Sequence, residues 1–149
     1  MADFEEYFLR GIDGAKKVES DKMEVASVID EFAADLLRAS GGRATVELKR
    51  KSDLLFGRNN LINLLAGEDY NSLAVVHATA DNFSPIVVAG WKQSESGYPC
   101  TITFNKQENA CFDAESLRAA LSELAASEKM GAAVLTAINY ELVQSPGLP

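Results

Sequence analysis

Histidine occurs once, tryptophan once, cysteine twice and proline four times in the 149 residues. Each scarcity excludes something. The single histidine, His77, cannot complete a Cys₂His₂ zinc set, and Cys100 and Cys111 do not stand in CxxC spacing. No GxGxxG or GxxxxGK phosphate loop is present, and neither a GxSxG nucleophile elbow nor an HExxH zinc motif occurs. Neither a metal nor a cofactor is therefore expected. No apolar run approaches the roughly 20 residues that span a bilayer. The acidic start, Met1-Ala2-Asp3-Phe4-Glu5-Glu6, does not read as a secretory or transit signal. These absences predict a cytoplasmic chain with no membrane role.

Anionic side chains are plentiful. Asp and Glu number 22 against 14 Lys and Arg, for a net charge of −8. Phosphate backbones are held by clustered cations, so nucleic-acid binding is disfavoured. The charge is uneven, however. Residues 43–58 carry Arg43, Lys49, Arg50, Lys51 and Arg58 against only Glu47 and Asp53. That basic stretch reads as a solvated strand edge, where lysines discourage edge-to-edge pairing, with phosphate contact as its competing reading. Apolar residues make up 47% of the chain, enough for one well-filled core.

Periodicity organises that core. Phe4, Tyr7, Phe8 and Ile12 share one helical face over residues 3–17, with Gly11 and Gly14 softening the end. Asp21 and Glu24, three apart, resemble a capping box. They predict a second helix over residues 21–40, with Val25, Val28, Ile29, Phe32 and Leu36 on its apolar stripe and Gly41-Gly42 as its stop. From Arg43 the period becomes two, and Ala44, Val46 and Leu48 alternate with polar neighbours. Asn59 or Asn60 is expected to cap a short helical turn through Leu65. Strand-like runs follow at residues 72–79, 84–91 and 98–104, separated by turns too short for parallel crossovers. A turn at residues 105–108 predicts a further strand at 109–112; if it leaves Phe104 opposite Asn109, Cys111 lies diagonal to Cys100, whereas a one-residue change of register puts the two thiols on opposite faces. Asp113 caps a helix carrying Leu117, Ala120, Leu121 and Leu124, and Ser127 caps another with Met130, Val134 and Ile138. Residues 143–149, with Pro146 and Pro149, read as a frayed tail. The prediction is one α+β domain over residues 1–149. It has a single antiparallel β-sheet of four to five strands, with N-terminal and C-terminal helices packed mainly on one face.

Candidates for chemistry are few. If the chain is an enzyme, Cys100 or Cys111 is its nucleophile and His77 its base. The more economical reading of all three is structural: small buried thiols and a histidine within a strand. Glu31 and Asp35 share a helical face, but the Glu-x-x-His partner of a helical metal site is missing. Tyr70, Trp91 and Tyr98, with Phe83, are candidates for an aromatic contact patch near strand ends, or for core volume.

What remains is a non-enzymatic protein-binding module that neutralises another macromolecule, of the immunity-protein or phage anti-defence inhibitor type. Glu5, Glu6, Glu24, Glu31 and Asp35 supply an acidic helical face for a partner with a basic surface. Two alternatives stand beside it. One is a homo-oligomeric phage or prophage accessory protein, a homodimer through the C-terminal helix. The other is the small cysteine-dependent enzyme.

Overall fold

The computed structural model describes residues 3–56 and 69–144, with side chains at residues 52, 55–56 and 141–144 left aside. Helix α1 (Phe4–Ala39) leads into strand β1 (Ala44–Lys49) and the short helix α2 (Lys51–Phe56). Strands β2 (Ser72–His77), β3 (Ile86–Gln93), β4 (Cys100–Phe104) and β5 (Gln107–Cys111) follow. Helices α3 (Ala114–Ala125) and α4 (Glu128–Gln144) complete the described chain. The five strands form one antiparallel meander in the order β1-β2-β3-β4-β5. The α+β expectation therefore holds: α1, α3 and α4 pack on the sheet.

The expectation for the N-terminal region is corrected. Helices at 3–17 and 21–40 are one continuous helix of 36 residues, about 54 Å long at 1.5 Å per residue. Asp21 is not an N-cap. Its carboxylate pairs with Lys17, one turn earlier, at 2.9 Å and so bridges the supposed break. Asp3 caps the helix instead, accepting from the Glu5 amide at 3.1 Å. Gly11 and Gly14 weaken the helix without ending it, because a stop needs a left-handed residue. Gly41 and Gly42 supply that geometry, at φ 67° and 84°.

The turn between β4 and β5 decides their register. Asn105 and Lys106 both have positive φ, 51° and 63°, making a two-residue turn. Phe104 therefore pairs with Gln107, not with Asn109, and Cys100 stands directly opposite Cys111. A shift of two residues keeps both thiols on the core face.

That face carries Val46, Leu73, Val75, Ala89, Trp91, Cys100, Ile102 and Cys111. Val25, Val28 and Ile29 of α1 cover it, as do Leu117, Leu121 and Leu124 of α3 and Met130, Ala133 and Ala137 of α4. Strand β2 is buried throughout from Leu73 to His77, as its unbroken apolar run requires of a strand covered on both faces. On the far side Lys49 and Asp53 are buried beside Val76. Helix α3 starts at a capping box between Asp113 and Ser116. At α4, Ser127 Oγ accepts from the Met130 amide at 3.2 Å, as its position predicts. The helical turn expected at 59–65 and the tail at 145–149 lie outside the described residues. Helix α4 continues through Gln144.

Candidate functional site

Helix α1 sets out the acidic residues. Glu6, Asp13, Glu24, Glu31 and Asp35 recur at seven-residue steps or combinations of seven and four, which places them on one line of the helix. All five are exposed, whereas Glu5 stands round the helix from them. Several carry local partners. Glu6 pairs with Arg10 at 3.1 Å and Glu31 with Arg118 of α3 at 3.0 Å. Asp35 pairs with Arg38. The Tyr98 hydroxyl donates to Glu24 Oε1 at 2.7 Å. Exposed pairs of this kind contribute about 0–1 kcal/mol, so the carboxylates remain exchangeable with an incoming cation.

The C-terminal end of that line borders a groove. Phe32, Asp35, Leu36 and Ala39 of α1 form one wall. Met130, Val134, Leu135 and Ile138 of α4 form the other, and Ser122 and Ala125 of α3 close the floor. Its volume is about 530 Å³, within the range of about 300–1,000 Å³ typical of binding clefts. The lining is almost wholly apolar, and Leu135 is 57% exposed there, so the groove wall is open to solvent. Asp35 is the charged residue on the rim. A neighbouring depression, shared by Glu31, Asp35 and Arg118, extends the acidic edge.

The sequence reading missed this groove because its walls come from two helices far apart in the chain. One signal was available. Val134 and Ile138 of the C-terminal helix are half-buried rather than buried like Met130, Ala133 and Ala137, and they line the groove.

The aromatic candidates are distributed rather than gathered. Trp91 is 4% exposed and belongs to the core. Its edge shares a surface depression with Tyr70, which is 46% exposed beneath the Arg50 guanidinium at 5.2 Å. Tyr98 is half-buried against α1, where burial and then the Glu24 hydrogen bond push its phenol pKa up. Phe83 sits at the other end of the sheet, edge-on to Tyr140 at 5.0 Å.

The thiols and the imidazole are not brought together. His77 ends β2 beside Ala44, while Cys100 pairs with Gln93 at the opposite end of the sheet, two strands away. His77 Nδ1 accepts from the Thr79 and Ala80 amides at 3.1 and 2.9 Å, which fixes the turn after β2. Both cysteines are buried and free. Burial, and then the neighbouring Cys111, push the Cys100 thiol up to about 12, and burial raises Cys111 as well. Such thiols are protonated at neutral pH and poor nucleophiles. Among the described residues, no cluster of three or more His, Cys, Asp or Glu has the arrangement of a metal site, and no helix is long and apolar enough to cross a membrane.

Comparison with known proteins adds nothing to this geometry: no family model, curated protein or solved structure matches the chain.

Proposed function

We propose that this chain is a non-enzymatic, cytoplasmic protein-binding module that acts by occupying a basic surface of another macromolecule, in the manner of an inhibitor or immunity protein. One observation carries the reading: the apolar groove between α1 and α4 is edged by Asp35 and, beside it, Glu31. Specific interfaces combine an apolar centre with a polar rim. The occupant that fits is an amphipathic segment with aliphatic or aromatic anchors flanked by Lys or Arg. The anchors fill the groove, and the cations displace Arg38 from Asp35 and Arg118 from Glu31. Glu24, Asp13 and Glu6 extend the same potential along the helix, and the net charge of −8 reinforces it at long range. Electrostatic complementarity of this kind speeds encounter and selects the partner more than it deepens affinity.

Titrating the full chain with a synthetic amphipathic leucine–lysine peptide tests the reading. Binding is expected to fall at least tenfold in the variant Glu31→Lys/Asp35→Lys, and to fall in Leu135→Ser, which removes one exposed groove wall. The variant Glu95→Lys/Glu108→Lys changes net charge equally but stands on strand and turn surfaces outside the groove. Equal loss in both double variants would mean that the peptide senses only overall charge, and the groove would not be the site.

A further inference from the structure

The first half of α1 leaves the body of the protein. Residues 3–17 are all exposed. Phe4, Tyr7, Phe8 and Ile12 are 70%, 58%, 72% and 49% exposed. At 3.6 residues per turn these four share a stripe with Gly11, Ala15 and Val18, on the side of the helix almost opposite the acid line. The stripe continues the face that, from Val25 onward, is buried on the sheet. A lone helix of this length is marginal in water. Gly11 and Gly14 each cost it about 1 kcal/mol relative to alanine, and nothing lies within 4 Å of where their Cβ atoms would be. Within one chain, that half of the helix gains almost no tertiary support.

We propose that this stripe is covered by the same helix of a second copy of the chain, antiparallel and related by a two-fold axis that crosses the stripe midway along it, at the level of residues 9 and 10. Shape is the first argument. Setting Phe8 opposite Gly11 of the second copy also sets Phe4 opposite Ala15, because both steps are four residues. Symmetry repeats each pair, so each phenylalanine meets a small residue, while Tyr7 falls opposite Ile12. A parallel pairing would instead set ring against ring and gap against gap.

Charge is the second argument. Asp3 and Glu5 stand at the start of the segment, and Lys16 and Lys17 close it. The antiparallel arrangement lays each acidic end beside a basic one, whereas a parallel one opposes like charges. Area is the third. Phe4, Tyr7, Phe8 and Ile12 together offer roughly 500 Å² of exposed side chain per copy. With the lysine stems and the glycine backbone added, this approaches the roughly 800 Å² per partner of a standard interface. Self-association in the micromolar range is the expected strength. The contact uses a face separate from the acid line and the groove, so it can fail without that reading failing, and the reverse.

Sedimentation velocity and native mass spectrometry of the full chain, from about 1 to about 200 μM, test the proposal. A concentration-dependent dimer is expected. Phe8→Glu should weaken it at least a hundredfold without changing the melting curve of the dilute monomer, since Phe8 makes no core contact. Gly11→Leu, a better helix former, should weaken it at least tenfold by filling the gap that Phe8 occupies. Zero-length carbodiimide cross-linking of mixed ¹⁴N and ¹⁵N chains should join Asp3 or Glu5 of one chain to Lys16 or Lys17 of the other. A monomer at every concentration would overturn the proposal. So would a dimer that survives Phe8→Glu, an inter-chain cross-link pattern of parallel helices, or adsorption of this face to phosphatidylcholine vesicles in place of self-association.

Discussion

Replacing Gly97 by alanine probes the join between sheet and helix. Gly97 lies in the turn between β3 and β4 at φ +96°, and an ideal Cβ there falls 2.8 Å from Asp21 Cβ and 3.2 Å from the Lys22 amide nitrogen. The obstacle is helix backbone and the first side-chain carbon of Asp21, neither of which can swing aside. An L-residue at this positive φ costs about 1 kcal/mol or more. Forcing a methyl into a packed contact adds about 1–3 kcal/mol. The expected loss is about 2–4 kcal/mol, a large part of the roughly 5–15 kcal/mol that holds a domain of ordinary stability. Equilibrium urea unfolding followed by far-UV circular dichroism reads this as a midpoint lowered by about 1–2 M. Gly131→Ala is the control. Gly131 lies in a helix, has nothing within 4 Å of its Cβ position, and should gain a few tenths to about 1 kcal/mol. A loss below about 0.5 kcal/mol for Gly97→Ala would refute the close approach of turn and helix.

Three further outcomes are expected. Cys100 and Cys111 should resist a thiol reagent in the native state at pH 8 and react fully in urea, because both are buried and their thiols are held protonated. Their raised pKa values also set an alkaline limit: stability is intact below the ordinary thiol value of 9 and falls as pH rises from there toward about 12, measured as melting temperature against pH. Asp53 sets an acid limit. Burial works against its charge, but the Arg50 amide and side chain bond its carboxylate at 2.9 and 3.2 Å and win, holding its pKa below the ordinary 3.8. Its stabilisation is present above that value and lost as pH falls through the lower native one, so Asp53→Asn should flatten the acid limb of the same curve.

Much of the architecture was legible in local pattern. Ala44, Val46 and Leu48 alternate on one face of β1, and Asp113 and Ser127 stand where α3 and α4 require caps. The short turn signals forced an antiparallel meander. What escaped was settled by contacts between distant segments. Asp21 and Glu24 have the spacing of a capping box, but the helix runs through them, with Asp21 paired to Lys17 and packed beneath Gly97. The β4–β5 register depended on which residues took positive φ. Lysine at position 106 is a poor advertisement for the left-handed conformation that it adopts. The acids of α1 were visible as a set. Their common line became visible only once the two expected helices proved continuous, because a break near residue 20 would have reset the phase between Glu6 and Glu24. The groove needed α1 and α4 on either side of α3, which no local signal encodes.

Stopped-flow association of the full chain with the leucine–lysine peptide, from about 50 to about 300 mM salt, measures directly whether Asp35 and Glu31 edge a working contact surface. The rate should fall at least tenfold over that range in the native chain. Glu31→Lys/Asp35→Lys should lower it at low salt and flatten the dependence, while Glu95→Lys/Glu108→Lys should leave most of it. A rate indifferent to salt, or one that Glu31→Lys/Asp35→Lys leaves unchanged, would contradict the account.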